Sequence, residues 1–381
     1  MTWPLFGMDM PVVLDLFIRM NIIVILMTVM VMGLIYIERK VLARFQMRLG
    51  PTRTGPMGLL QSVADALKLV AKEDVRPTNA DTWVFELAPY FVFVPIFIGF
   101  VVVPFASGLE VRVLDLGLFY LLAASSVNLV GWVMAGWGSD NRYAIIGGLR
   151  SVAQSISYEL PLVLSLLAVA MVADSLNLTE IVARQAGAPN ILWQPMAFLI
   201  FFIAMIAELN RPPFDIPVGE SEVVGGPFVE YSGIRWSMFF LAEYAALFIM
   251  ALVGSAVFLG GWAWPFGEQL GLPWQIVLTT VKTSMMIFVV FWVRVTVPRM
   301  RIDQLMAFAW KLLLPLSFAQ ILVNGAVLVY ELPSGLTHAL LAGSGVSGVF
   351  IMMWVINRSV SRPRPRPVLI PRTDQTWEAT R

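Results

Sequence analysis

The sequence predicts an all-α fold: a polytopic transmembrane helix bundle with about nine spans and an interfacial amphipathic helix after the first. Three observations carry that prediction. Of the 381 residues, 58% are hydrophobic and only 13% charged, outside the usual balance of soluble domains. Apolar runs of about 20 residues recur along the chain, each long enough to cross a ~30 Å hydrocarbon core. Lys and Arg collect in alternate connections, as the positive-inside bias requires of a multispanning protein. Short alternating segments, which would mark a barrel, do not describe this pattern.

Taken in order, the first span lies near 12–36. It is too long for the apolar core of a signal peptide and runs into "ERK" instead of a small-residue cleavage site, so it is expected to remain as a span. The next stretch, "MGLLQSVADALKLVAKE" (57–73), differs. Leu59, Leu60, Val63, Leu67 and Val70 recur at helical spacing, while Gln61, Asp65, Lys68 and Lys72 fall off that stripe. This is the pattern of a helix lying at the membrane surface. Further spans are expected near 83–105, 113–137, 157–175, 191–208, 237–260, 275–297, 307–330 and 338–356. The basic connections at 38–82, 138–156, 209–236 and 298–306 belong on the inside, with Arg19, Arg112 and Arg184 on the opposite face. That puts the N-terminus outside and the acidic loop inside. The Arg/Pro-rich tail 357–381 belongs inside too, which requires an odd number of crossings, and its proline content argues against a fold of its own.

Composition narrows the chemistry. With no cysteine and a single histidine, His338, the chain itself can ligate neither an iron–sulfur cluster nor a bis-histidine haem. No metal site is expected, and the near-neutral net charge of +1 gives no reason to invoke nucleic acid. His338, at the start of an apolar run, reads as an interfacial residue. No Walker loop, zinc-protease motif, nucleophile elbow or dinucleotide fingerprint appears. Internal repeats of the kind that build secondary transporters are also lacking.

Four inside-facing segments are dense in polar residues. "YIERKVLARFQMRLGPTRTGPMGLLQSVADALKLVAKEDVRPTNAD" (36–81) reads either as a positive-inside anchor or as a fixed polar ledge held by its Gly-Pro turns. In "SDNRYAIIGGLRSVAQSISYEL" (139–160), Glu159 falls where the fourth span is expected to begin. There it could serve the dipole of a first helical turn, or mark a functional site as an ionisable group at membrane depth. "ELNRPPFDIPVGESEVVGG" (208–226) gathers Glu208, Asp215, Glu220 and Glu222, with Glu230 just beyond and Glu243 about 9 Å into the sixth span. Only Arg211 balances them locally. Carboxylates at a low-dielectric boundary resist ionising together, and a row of them can relay protons; a solvated loop docking on a basic partner is the alternative. Finally, "RVTVPRMRIDQLMAFAWKLLLP" (294–315) carries Arg294, Arg299 and Arg301 as a basic edge. Lys282, nearly halfway through the seventh span, sits in the outer half and so does not pair with Glu243.

Side by side, "ERKVLARFQMRLGP", "GLLQSVADALKL", "LRSVAQSISYEL", "AELNRPPFD" with "GESE" and "VEYSG", and "VPRMRIDQLM" with "AWKLLLP" resemble the family of H subunits of bacterial NADH–quinone oxidoreductase, the counterpart of mitochondrial NADH dehydrogenase subunit 1. The resemblance runs from about residue 12 to 330. It implies a family-like membrane domain over 1–337, with 338–356 an additional C-terminal span that inherits nothing from it. It also implies a non-redox subunit of respiratory complex I in a bacterial inner membrane. FMN and iron–sulfur clusters would sit in partner subunits, and quinone, ubiquinone in the expected case, would be the substrate. The partners would be peripheral-arm subunits carrying the terminal cluster and the quinone headgroup pocket, small membrane subunits, antiporter-like subunits and lipid.

By the same resemblance, Glu38, Arg39, Asp65, Lys68 and Arg299 lie at the quinone chamber. Glu159, Glu208, Glu220, Glu222, Glu230 and Glu243 lie on an acidic pathway that couples quinone reduction to proton movement. Val218 stands where many members have a further Glu, and Asp115 is the only acid of the third span. The rival readings are the related membrane subunit of an ion-pumping hydrogenase and, more distantly, a stand-alone proton-coupled transporter.

Overall fold

The computed structural model describes residues 12–266, 271–330 and 334–360, and every described element is helical. In chain order these are α1 Val12–Phe45, α2 Gln61–Ala71, α3 Thr82–Gly99, α4 Gly117–Gly138, α5 Arg142–Ala173, α6 Leu178–Ala183, α7 Asn190–Trp193, α8 Pro195–Glu208, α9 Glu220–Val223, α10 Gly233–Phe258, α11 Leu272–Thr296, α12 Ile302–Phe308, α13 Leu314–Val329 and α14 Ser334–Val360. A π-helical turn at Ala309–Leu313 joins α12 to α13, so the two form one continuous span. Among the described residues, eight helices are long and apolar enough to cross a membrane.

The fifth expected span, 191–208, is built differently. Short α7 precedes α8, whose 14 residues cover only about 21 Å at 1.5 Å per residue. The tail beyond residue 360 lies outside the described residues.

Helix α5 forms the spine. It starts where the Asn141 side chain accepts the Tyr143 N–H at 2.9 Å, an N-cap, and runs 32 residues to Asp174, whose left-handed φ of 44° ends it. It packs on α4, α8 and α13. The fourth span therefore opens well before 157, and most of the connection expected at 138–156 is helix. Helix α10 is the most enclosed span, with 72% of its apolar window buried against 17% for α14; it touches α1, α2, α3, α8 and α11. Apolar burial of this extent comes from side-chain packing between helices, because in a bilayer lipid is as apolar as the core.

Two peripheral pieces matter below. Leu59 and Leu60, just before α2, and Val63, Leu67 and Val70 on it are exposed, while Ser62 Oγ donates to the Met32 carbonyl of α1 at 3.0 Å. Helix α14 lies against α7, α8 and α13, close enough that a Cβ added at Gly345 would stand 2.6 Å from Pro195 Cδ. His338 stacks on Trp193 with ring centroids 4.4 Å apart.

Candidate functional site

The connection after α8 turns sharply. Asn210 adopts φ 50°, a left-handed conformation that Asn tolerates better than most residues, and Arg211 is thereby carried back into the bundle. Only 3% of its side chain is exposed. Its Nη1 donates to Glu38 of α1 at 3.2 Å and 3.3 Å, its Nε lies 2.9 Å from Glu243 Oε1 of α10, and its guanidinium sits 4.3 Å from the ring centroid of Tyr244. Arg294 of α11 closes the group by bonding Glu38 directly. Burial alone would push the Arg211 pKa down, but Glu243 and Glu38 more than reverse this and hold it above the usual range. Two carboxylates and two guanidiniums from four separate parts of the chain thus form one charge bridge, buried at Arg211 and Glu38 and partly exposed at Glu243 and Arg294. This arrangement is tolerable in a low dielectric only because opposite charges are in contact.

The sequence reading divides Glu38 from Glu243, one toward the chamber and one toward the acidic pathway. The structure joins them through Arg211. It also places Glu243 ten residues into α10, about 15 Å along the helix, because α10 begins at Gly233.

Beside this bridge, Arg39 Nη1 contacts Asp65 Oδ2 at 2.6 Å, and Gln61 Nε2 donates to the other Asp65 oxygen at 3.2 Å. Asp65 therefore ties α2 to the C-terminal end of α1. Lys68 is on the same helix but exposed.

The acidic loop is less bare than its sequence suggests. Arg299 Nη2 meets Asp215 Oδ2 at 2.5 Å, Arg150 Nη1 meets Glu222 Oε2 at 2.5 Å, and Asn141 Nδ2 donates to Glu230 at 2.7 Å. Burial raises the Asp215 pKa above its ordinary value, with the Arg299 contact pulling the other way. Glu220 begins α9, and its side chain lies outside the described residues.

Glu159 and Glu208 form a second group. Glu159 is not in a first helical turn, because α5 starts at Arg142; the helix-dipole reading is therefore excluded. It is half-buried, accepts from Ser126 Oγ of α4, and lines a cavity of about 460 Å³ with Ile156, Leu160, Leu314 and Phe318. Pro161, two residues on, removes one backbone donor from the same stretch. Glu208 ends α8 within electrostatic reach of Glu159, and its Oε2 is buried with no hydrogen-bond partner among the described residues.

Lys282 has a partner that no charge count could reveal. Its Nζ donates to the carbonyls of Leu259 at 2.6 Å and Gly261 at 2.7 Å, and to that of Trp264, while lying 5.5 Å from the Trp264 ring centroid. An ammonium placed on open carbonyls at the end of a helix is also favoured by the helix dipole. Sequence reasoning gives Arg294 a place only in a basic edge, and it does not single out Arg150, Asn141 or Ser126. Only the basic and polar character of their segments is visible there.

Fold and site together define a class: a polytopic helical membrane protein that concentrates ionisable groups inside its bundle. Comparison with known proteins narrows it. A family model described as NADH dehydrogenase matches residues 18–325. The H subunit of NADH-quinone oxidoreductase from Brevibacillus brevis is 48% identical over 297 residues, covering 78% of this chain and 88% of the relative. The Geobacillus kaustophilus protein of the same name is 50% identical over 291 residues, 76% of this chain and 87% of the relative. That of Dehalococcoides mccartyi is 42% identical over 330 residues, 87% and 91%. The chain belongs to the NADH dehydrogenase family, as an H subunit of NADH–quinone oxidoreductase.

Proposed function

We propose that this chain forms the membrane end of the quinone chamber in a proton-translocating NADH:quinone oxidoreductase and converts quinone reduction into proton movement. The observation that carries the reading is the charge bridge of Glu38, Arg211, Glu243 and Arg294, reached from the ledge held by Arg39 and Asp65. Quinone reduction adds electrons and draws protons, so it changes the local charge. A buried ion-pair group responds to such a change by re-partnering or by exchanging a proton. The connection from Arg211 back to Glu208, and from Glu208 to Glu159, gives that response a direction along α5.

In this reading partner subunits hold FMN and the iron–sulfur clusters and bring electrons to the quinone. Antiporter-like subunits receive the coupling signal beyond Glu159. The outward-facing stripe of α2 lies in the headgroup region, and the loops with Glu222, Glu230 and Arg299 face the cytoplasm of a bacterium, covered by the peripheral arm.

The experiment uses the intact complex in proteoliposomes, with NADH oxidation, reduction of a short-chain ubiquinone and proton uptake measured together. Glu208→Gln and Glu222→Gln are expected to leave the complex assembled and to lower protons moved per NADH. Wild-type pumping in both would remove the carboxylate pathway, and a complex that reduces no quinone would remove the chamber assignment.

A further inference from the structure

Arg211 is the pivot of the charge bridge, and what fixes Arg211 is a single amide. Gln154, 2% exposed, projects from α5 beneath the connection that follows α8. Its Nε2 donates to the carbonyl of Ala207 at 2.8 Å and to that of Phe214 at 2.7 Å. Two carbonyl acceptors settle the orientation of the amide, because its oxygen turned the same way would face both of them. One nitrogen touching both oxygens also holds the start and end of the 207–214 segment within about 5.5 Å of each other.

Arg211 lies inside that closed segment. The Arg211 N–H donates to the Ile206 carbonyl just before the segment at 3.3 Å, and within it the Phe214 N–H donates to the Arg211 carbonyl at 2.9 Å. A second contact from the same face of α5, one turn earlier, is Asn210 Nδ2 donating to Ser151 Oγ at 3.3 Å. From outside, the Met300 N–H donates to the Pro213 carbonyl at 3.1 Å. Gln154 is the only side chain among these contacts that grips both ends of the turn, and its own Oε1 is buried without a partner among the described residues. An amide buried at the cost of one unmade hydrogen bond is expensive, and here its two donors are spent on loop geometry.

We propose that Gln154 is a positioning residue for Arg211: by clasping Ala207 and Phe214 it sets how the guanidinium is shared between Glu38 and Glu243. Gln154 touches neither carboxylate and acts only through the loop. The inference rests on the reading above, in which the charge bridge takes part in quinone turnover.

The test is a double-mutant cycle in the intact, reconstituted complex, with NADH-driven reduction of a short-chain ubiquinone as the readout. Gln154→Met keeps length and volume and removes both donors; Arg211→Lys keeps the charge and removes the fork. Gln154→Met is expected to lower kcat about tenfold with little change in KM, the scale of two lost hydrogen bonds. Arg211→Lys is expected to lower it at least as much, and the double variant to turn over within about twofold of Arg211→Lys alone, since the two share one path.

Multiplying effects in the double variant would overturn the inference, because a side chain that merely fills space in α5 acts independently of Arg211. Wild-type turnover in Gln154→Met with impaired Arg211→Lys would overturn the inference and leave the functional reading intact. Wild-type turnover in Arg211→Lys would remove that reading and this inference with it. Should Gln154→Met fail to accumulate in the complex, Gln154→Asn, one methylene shorter and able to reach one carbonyl, carries the same cycle with the same outcomes.

Discussion

Two acidic groups within the bundle are built on opposite plans. Glu38 and Glu243 are held by cations, with Arg211 between them and Arg294 on Glu38. Glu159 and Glu208 have no ion-pair cation among the described residues: Ser126 reaches Glu159, Glu208 feels Glu159, and Glu208 Oε2 has no hydrogen-bond partner among the described residues. The first group is compensated charge, and breaking it leaves an unpaired ion in a low dielectric. The second has no counter-ion among the described residues, so replacing an acid there with its amide disturbs little structure while removing a proton site. The one should fail as a structure, the other as a relay.

Arg211→Met tests the contrast most severely. It strands Glu243 and leaves Glu38 with Arg294 alone, and the expected loss is about 3–5 kcal/mol, read as reduced abundance of intact complex and a lower temperature of inactivation. If the loss were no larger than that of Glu208→Gln, the distinction between the groups would fail. Glu38→Gln comes next: it leaves Arg211 and Arg294 facing each other without their shared anion, at a cost of about 1–3 kcal/mol and with quinone reduction lowered about tenfold or more.

Glu208→Gln is expected to cost under about 1 kcal/mol in stability, so thermal inactivation stays near wild type while protons moved per NADH fall. A large stability loss there would mean that Glu208 has a structural partner after all. The smallest effect on stability belongs to Glu222→Gln, whose pair with Arg150 is half exposed at 53%. Such pairs are worth about 0–1 kcal/mol and weaken with salt, so inactivation curves at low and high salt should nearly coincide with wild type. Its effect on pumping, as above, is a separate measurement.

Much of this is legible in the sequence because the bilayer makes composition explicit. A run such as that of α10 reads as a span from its length and composition, but its enclosure is not legible, since α14 is as apolar and far more exposed. The acids of the site are also visible, since a Glu in an apolar run has no ordinary explanation. Their partners are not. Arg294 meets Glu38 across 256 residues of sequence, and Arg150 meets Glu222 across 72, so a count of charges within one loop leaves Arg211 as the only balance.

Lys282 shows the same limit in another form: its partners are backbone carbonyls, which every residue carries and no sequence marks. Glu159 passes for a first-turn residue only while polar "SDNRYAIIGGLRSVAQSISYEL" is taken as a connection. Its Ser151, Gln154 and Ser157 are buried against other helices, so polarity there marks packing inside the bundle and not exposure to water.

The shortness of α8 has a consequence for the membrane around the protein. Its 14 residues fall short of a ~30 Å hydrocarbon layer, and a helix so short facing lipid would force the bilayer to thin or the protein to tilt. Helix α14 stands against that flank, brought close by Gly345 beside Pro195 and Gly348 beside Met196. On that side α8 therefore meets protein instead of acyl chains, and hydrophobic mismatch is screened by α14. A truncation before Ser334 would return that mismatch to the lipid.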